Sequence, residues 1–191
     1  MFLVNDIIAL LAANLIFSQA LGTSTLFAAA GGRKDLVRTA AAITLFTTIG
    51  SLGACGIDNL LPRSMKNYAS LICYTLIIGI LYAGFLTALY FMGSDKFRKY
   101  KKYIHISAFN CAVMGTLFTV SGRVAAIHRT REPLYYLGGG IEAGLGFVIA
   151  SLFLAAAYKK LTSEKVPEAF RGFPAMLIYL GIISMAVYAL N

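Results

Sequence analysis

The chain has 191 residues, 59% of them hydrophobic, and a mean hydropathy of +0.74. Soluble domains hold about 45 to 50% apolar residues, so this composition excludes an ordinary water-soluble domain and points to a lipid-embedded one. The net charge of +9 does not mark a nucleic-acid binder, because the basic residues sit between apolar runs with no aromatic-interleaved polar domain behind them.

A bilayer core of about 30 Å is crossed by about 20 apolar residues of helix. Six such runs follow one another, over residues 2–20, 39–60, 69–93, 103–122, 134–158 and 173–190. They are continuously apolar, whereas membrane strands alternate over about 10 residues, so helices are expected and a barrel is not. The first run opens on Asn5 and Asp6 with no Lys or Arg ahead of it, unlike a signal peptide, and is read as a retained span. Asn14 interrupts it, and Leu21-Gly22-Thr23-Ser24-Thr25-Leu26 follows.

The second run carries Cys55 and ends at Asp58, which is read as solvated at the outer end of its span. The third carries Cys73 and leads to the basic stretch 96–102, a membrane-surface anchor near anionic headgroups. In the fourth, Asn110 and Cys111 stand mid-run with Gly115 close behind. An amide in hydrocarbon is costly unless bonded, so Asn14 and Asn110 are expected either where a helix unwinds or as bonds to a neighbouring helix. The fifth run spaces Gly140 and Gly144 four apart, a pattern for close helix contact. Its Glu142 is a carboxylate inside a span, readable as an ion-path group or as a structural partner of Arg123.

Twelve of the Lys and Arg residues fall in the loops after spans one, three and five, and five in the loops after spans two and four. The positive-inside rule then places both termini outside. Three cysteines without a CxxC indicate neither a disulfide framework nor a zinc site, and His105 and His128 lack a third ligand in register. No Walker loop, HExxH or nucleophile triad is present, and the glycine-rich stretch around Gly140 is no dinucleotide fingerprint, so no nucleotide site is expected.

Three spans per half force the second half to enter the membrane from the opposite side. The expected fold is therefore an all-α integral membrane protein: one domain over 1–191, six transmembrane helices, and two inverted three-helix repeats near 1–95 and 96–191. The first and fourth helices are interrupted, at Asn14 with Gly22 and at Asn110 with Gly115.

The stretches Asn110-Cys111-Ala112-Val113-Met114-Gly115, Ala143-Gly144-Leu145-Gly146-Phe147 and Val166-Pro167-Glu168-Ala169-Phe170-Arg171-Gly172 carry a resemblance. With Asn14, Leu21-Gly22 and Ala54-Cys55-Gly56-Ile57-Asp58, the chain resembles the Rnf/Nqr membrane-subunit family over nearly its whole length, closest to its RnfA branch with NqrE as counterpart. The resemblance implies a subunit of a bacterial or archaeal cytoplasmic-membrane complex, not a stand-alone enzyme, that couples electron transfer to sodium or proton translocation. It also implies pairing with an RnfE/NqrD-like membrane subunit, the two sharing a two-iron, two-sulfur cluster at the membrane midplane, with two cysteines from each chain.

One of these cysteines corresponds to Cys111. The other belongs to a Leu-Gly-x-Cys-Pro turn, and here Ser24 and Thr25 stand in place of the Cys and Pro. Thiolate suits iron far better than a hydroxyl, so a weakened or absent cluster is expected. Glu142 is a second departure, at a position where the family has a small residue. These departures leave an alternative: a cluster-less relative repurposed as a small membrane transporter or structural partner subunit.

Overall fold

The computed structural model describes residues 14–30, 32–126 and 132–189. Most of the expected first span, Asn5, Asp6 and His128 lie outside them. The described residues form eight helices and no strand: α1 Leu15–Gln19, α2 Thr23–Ala30, α3 Arg33–Leu60, α4 Arg63–Phe91, α5 Ser94–Ala108, α6 Cys111–Ala126, α7 Pro133–Leu161 and α8 Phe173–Ala189. α3, α4 and α7 are long and apolar enough to cross a membrane, and α5 with α6 makes a fourth such element, bent by 47° at its break. α8 is apolar, but its 17 described residues fall short of that length.

The basic stretch 96–102, expected as a loop, is helical. Only Met92 and Gly93 separate α4 from α5. Phe97, Tyr100, Tyr103 and Ile104 recur at three- and four-residue spacing, which gives this segment an amphipathic helical pattern. Tyr103 then ties α5 to the start of α3, donating its hydroxyl to Asp35 Oδ1 over 2.5 Å and accepting from Arg38 over 3.2 Å.

α3 and α7 form the most extensively packed pair. In lipid there is no hydrophobic gain from bringing two apolar helices together, so close approach and interhelical hydrogen bonds hold them. The Gly140 and Gly144 spacing supplies the approach. A Cβ on Gly140 would stand 2.7 Å from the Thr47 carbonyl oxygen, and one on Gly144 2.5 Å from Thr44 Cγ2. Ser51 Oγ completes the seam by donating to the Tyr136 carbonyl over 2.7 Å. α4 lies at the periphery, with Leu71, Ile72, Leu76 and Ile80 facing outward, as a lipid-facing helix does.

Asp58 does not sit in solvent at a helix end. It is 1% exposed, because α3, α4, α6 and α7 converge on it. Tyr74 donates to Oδ1 over 2.7 Å, while Ser121 and Tyr136 each donate to Oδ2 over 2.5 Å. A buried carboxylate is tolerable only when donors replace its water, and hydroxyls from three other helices do so here.

Removing the carboxylate strands those hydroxyls. Asp58→Ala is expected to destabilise the detergent-solubilised protein by at least about 3 kcal/mol, and Tyr74→Phe by about 1.5 kcal/mol, read by thermal unfolding.

Candidate functional site

The two asparagines singled out in the sequence end up in matching local structures. Asn14 precedes α1, is 3% exposed, and accepts the Ile16 N–H at Oδ1 over 2.9 Å. Asn110 precedes α6, is 4% exposed, and accepts the Ala112 N–H at Oδ1, also over 2.9 Å. Each caps the helix that follows it, satisfying an amide hydrogen that has no partner within its own helix, and at Asn110 that helix restarts after the break that ends α5.

Their Nδ2 groups differ. That of Asn14 donates to the Gly146 carbonyl on α7 over 2.6 Å, linking the first break to the central pair. That of Asn110 is buried without an acceptor among the described residues.

The breaks also pack against each other. Gly22, between α1 and α2, has φ +83°, a region that glycine enters without steric cost. A Cβ there would lie 2.9 Å from Ala112 Cβ and 3.2 Å from Asn110 Oδ1. Gly115 makes room in the other direction, since a Cβ on it would collide with Leu21 Cδ1. Across this junction the Gly22 N–H donates to Cys111 Sγ over 3.0 Å. Cys111, the first residue of α6, is exposed. Ser24, in the first turn of α2, is exposed as well. Four of the expected site residues, Gly22, Asn110, Cys111 and Gly115, are thus gathered at one junction, with Ser24 at its edge and Asn14 tying α1 to α7.

Glu142 belongs to a neighbouring feature. It is half-buried on α7, one helical turn before Gly146, and forms an ion pair with Arg123 of α6 at 3.1 Å. The pair borders a cavity of about 540 Å³ that also meets Glu132, Tyr135 and Gly139. His105 meets the Tyr82 hydroxyl at 2.7 Å through Nδ1 and stacks on its ring. Among the described residues, no three His, Cys, Asp or Glu side chains gather to hold a metal.

The donor set at the junction does not fit a four-thiolate cluster shared by two chains. It offers one thiol, Cys111, and the hydroxyl of Ser24. Cys55 is buried on α3, where Asn59 Nδ2 donates to its sulfur over 3.6 Å, and Cys73 lies on peripheral α4. Neither is at a break.

Sequence reasoning missed the role of Asp58. Polar Tyr74, Ser121 and Tyr136 inside apolar runs were the available signal, but their convergence requires four helices to be placed in space.

The unequal Nδ2 groups predict unequal costs. Asn14→Ala loses a cap and a buried interhelical bond, about 2 to 3 kcal/mol, whereas Asn110→Ala loses a cap but also an unsatisfied amide, for a net change of about 1 kcal/mol or less. Thermal unfolding of both variants in the same detergent checks the difference.

The family described as Rnf-Nqr subunit, membrane protein, matches residues 4–191. The A subunit of the ion-translocating oxidoreductase complex of Histophilus somni is 26% identical over 145 residues, covering 75% of this chain and 72% of that protein. The A subunit of the Na(+)-translocating ferredoxin:NAD(+) oxidoreductase complex of Acetobacterium woodii is 31% identical over 86 residues, 44% of this chain and 41% of that protein. The E subunit of the Na(+)-translocating NADH-quinone reductase of Hahella chejuensis is 34% identical over 84 residues, 44% and 38% respectively. With its family match spanning nearly every residue, the chain belongs to the Rnf-Nqr family of membrane subunits.

Proposed function

We propose that this chain is a membrane subunit of an Rnf/Nqr-type ion-translocating electron-transport complex, working as one half of a paired unit and not as a stand-alone enzyme. The observation that carries the reading is the junction of the two breaks, where the Gly22 N–H meets Cys111 Sγ at an exposed edge of the chain. Exposed cysteine and serine beside interrupted helices suit an interface with a second membrane subunit better than contact with lipid. The partner is an RnfE/NqrD-like chain of opposite topology, and other subunits of the complex complete the assembly.

The matching caps at Asn14 and Asn110 support two inverted repeats within a single domain, near 1–95 and 96–191, with six spans when the residues outside the described part supply the start of the first. The loop charge bias supports both termini lying outside a bacterial or archaeal cytoplasmic membrane. The junction residues bind and orient: the asparagines close the breaks, Gly22 and Gly115 allow contact, and Cys111 faces the partner. The Arg123 and Glu142 pair lies beside the cavity on the outer part of α6 and α7, where a charged pair is a candidate element of an ion path.

The test is isolation from native membranes through an affinity tag on this chain. Co-purification is expected of the soluble redox subunits and of an RnfE/NqrD-like subunit. A bulky Cys111→Trp substitution is expected to lower partner recovery at least about ten-fold, equivalent to about 1.4 kcal/mol of pairing energy. Recovery of the wild-type chain without any such subunit would overturn the assignment.

A further inference from the structure

An all-cysteine two-iron, two-sulfur cluster takes four thiolates, and one shared equally by two chains asks for two from each. The junction here presents one. Cys111 Sγ is held by the Gly22 N–H at 3.0 Å, and two residues beyond Gly22 the exposed position at the start of α2 is Ser24. To ligate iron the Ser24 hydroxyl would have to lose a proton that it keeps at physiological pH, and the resulting hard oxygen matches iron-sulfur chemistry poorly. The other thiols offer no replacement: Cys55 is buried in α3 and accepts from Asn59, and Cys73 is on peripheral α4.

We infer that the paired site of this subunit holds no two-iron, two-sulfur cluster, and that Ser24 is the residue that excludes it. The backbone around the site is otherwise formed: Gly22 has its positive φ, its N–H points at Cys111 Sγ, and Asn110 caps α6. A single oxygen-to-sulfur exchange at exposed Ser24, which needs no added room within the fold, completes the two-thiol set. The inference rests on the paired-subunit reading above and leaves the chain with a positional or ion-conducting part in the complex, with electrons passing through other subunits.

The experiment uses the complex purified without oxygen through a tag on this chain, with iron and acid-labile sulfide counted per complex and the reduced state examined by electron paramagnetic resonance. Cys111→Ala and Ser24→Ala are expected to leave both counts at the wild-type level. Ser24→Cys is expected to add about two irons and two sulfides with a new reduced-state signal, and Cys111→Ala placed in that background removes them.

Loss of about two irons from the wild-type count in Cys111→Ala alone would overturn the inference, since the site would already hold a cluster. So would a Ser24→Cys complex with its subunits intact and its iron unchanged. Failure of the other subunits to co-purify sinks the paired-subunit reading instead, and the inference with it, since the site takes half of its thiolates from the partner.

Discussion

A helix end inside an apolar layer exposes backbone amides and carbonyls that only the protein can bond, and this constraint organises the junction where α1, α2 and α6 meet. Asn14 and Asn110 meet it in the same way, each accepting the N–H two residues ahead at 2.9 Å. Once capped, the breaks are rigid enough to face each other, and Gly22 and Gly115 let them touch. The Asn14 link to the Gly146 carbonyl fixes the first break to α7, so the geometry around Cys111 is inherited from the helix pair beneath it.

That pair is held by smallness and hydroxyl chemistry, not by apolar bulk. Gly140 and Gly144 admit Thr44, Thr47 and Ser51 of α3 to near backbone contact, and Ser51 bonds across to Tyr136. The Asp58 node lies on the same two helices and draws in α4 and α6 through Tyr74 and Ser121. Where lipid offers no hydrophobic gain, a carboxylate saturated by three donors gives direction to packing that apolar contacts leave degenerate.

The junction therefore combines a fully formed backbone with a donor set of one thiol and one hydroxyl. Its conformational devices, the positive-φ glycine, the two caps and the N–H to sulfur contact, are all in place, while exposed Ser24 offers a hydroxyl beside the Cys111 thiol. Scaffold and ligand chemistry are separable because the first depends on backbone hydrogen bonds and the second on one exposed side chain. Glu142 shows a similar separation: a carboxylate at a position expected to be small is accommodated by an Arg123 partner on the adjacent helix.

Much of this was legible from the chain alone. Apolar run length is set by bilayer thickness, so α7 and α8 were readable to within three residues of their ends, while α3 and α4 begin six residues before their apolar runs, and Asn in an apolar run marked the break at Asn110 because an amide must be bonded there. That Ser24 offers a hydroxyl and Cys111 a thiol was also visible, since donor identity is a property of one side chain. Three things were not. The helical course of 96–102 depended on Tyr103 reaching Asp35 and Arg38 of α3, the burial of Asp58 on donors 16, 63 and 78 residues away, and the contact between breaks on which atoms a Gly22 Cβ would strike. Sequence by itself determined which segments prefer lipid and which donor atoms the chain owns. Only the tertiary structure decided which of those atoms meet, because hydrogen bonds act over about 3 Å and their partners here lie on different helices, far apart along the chain.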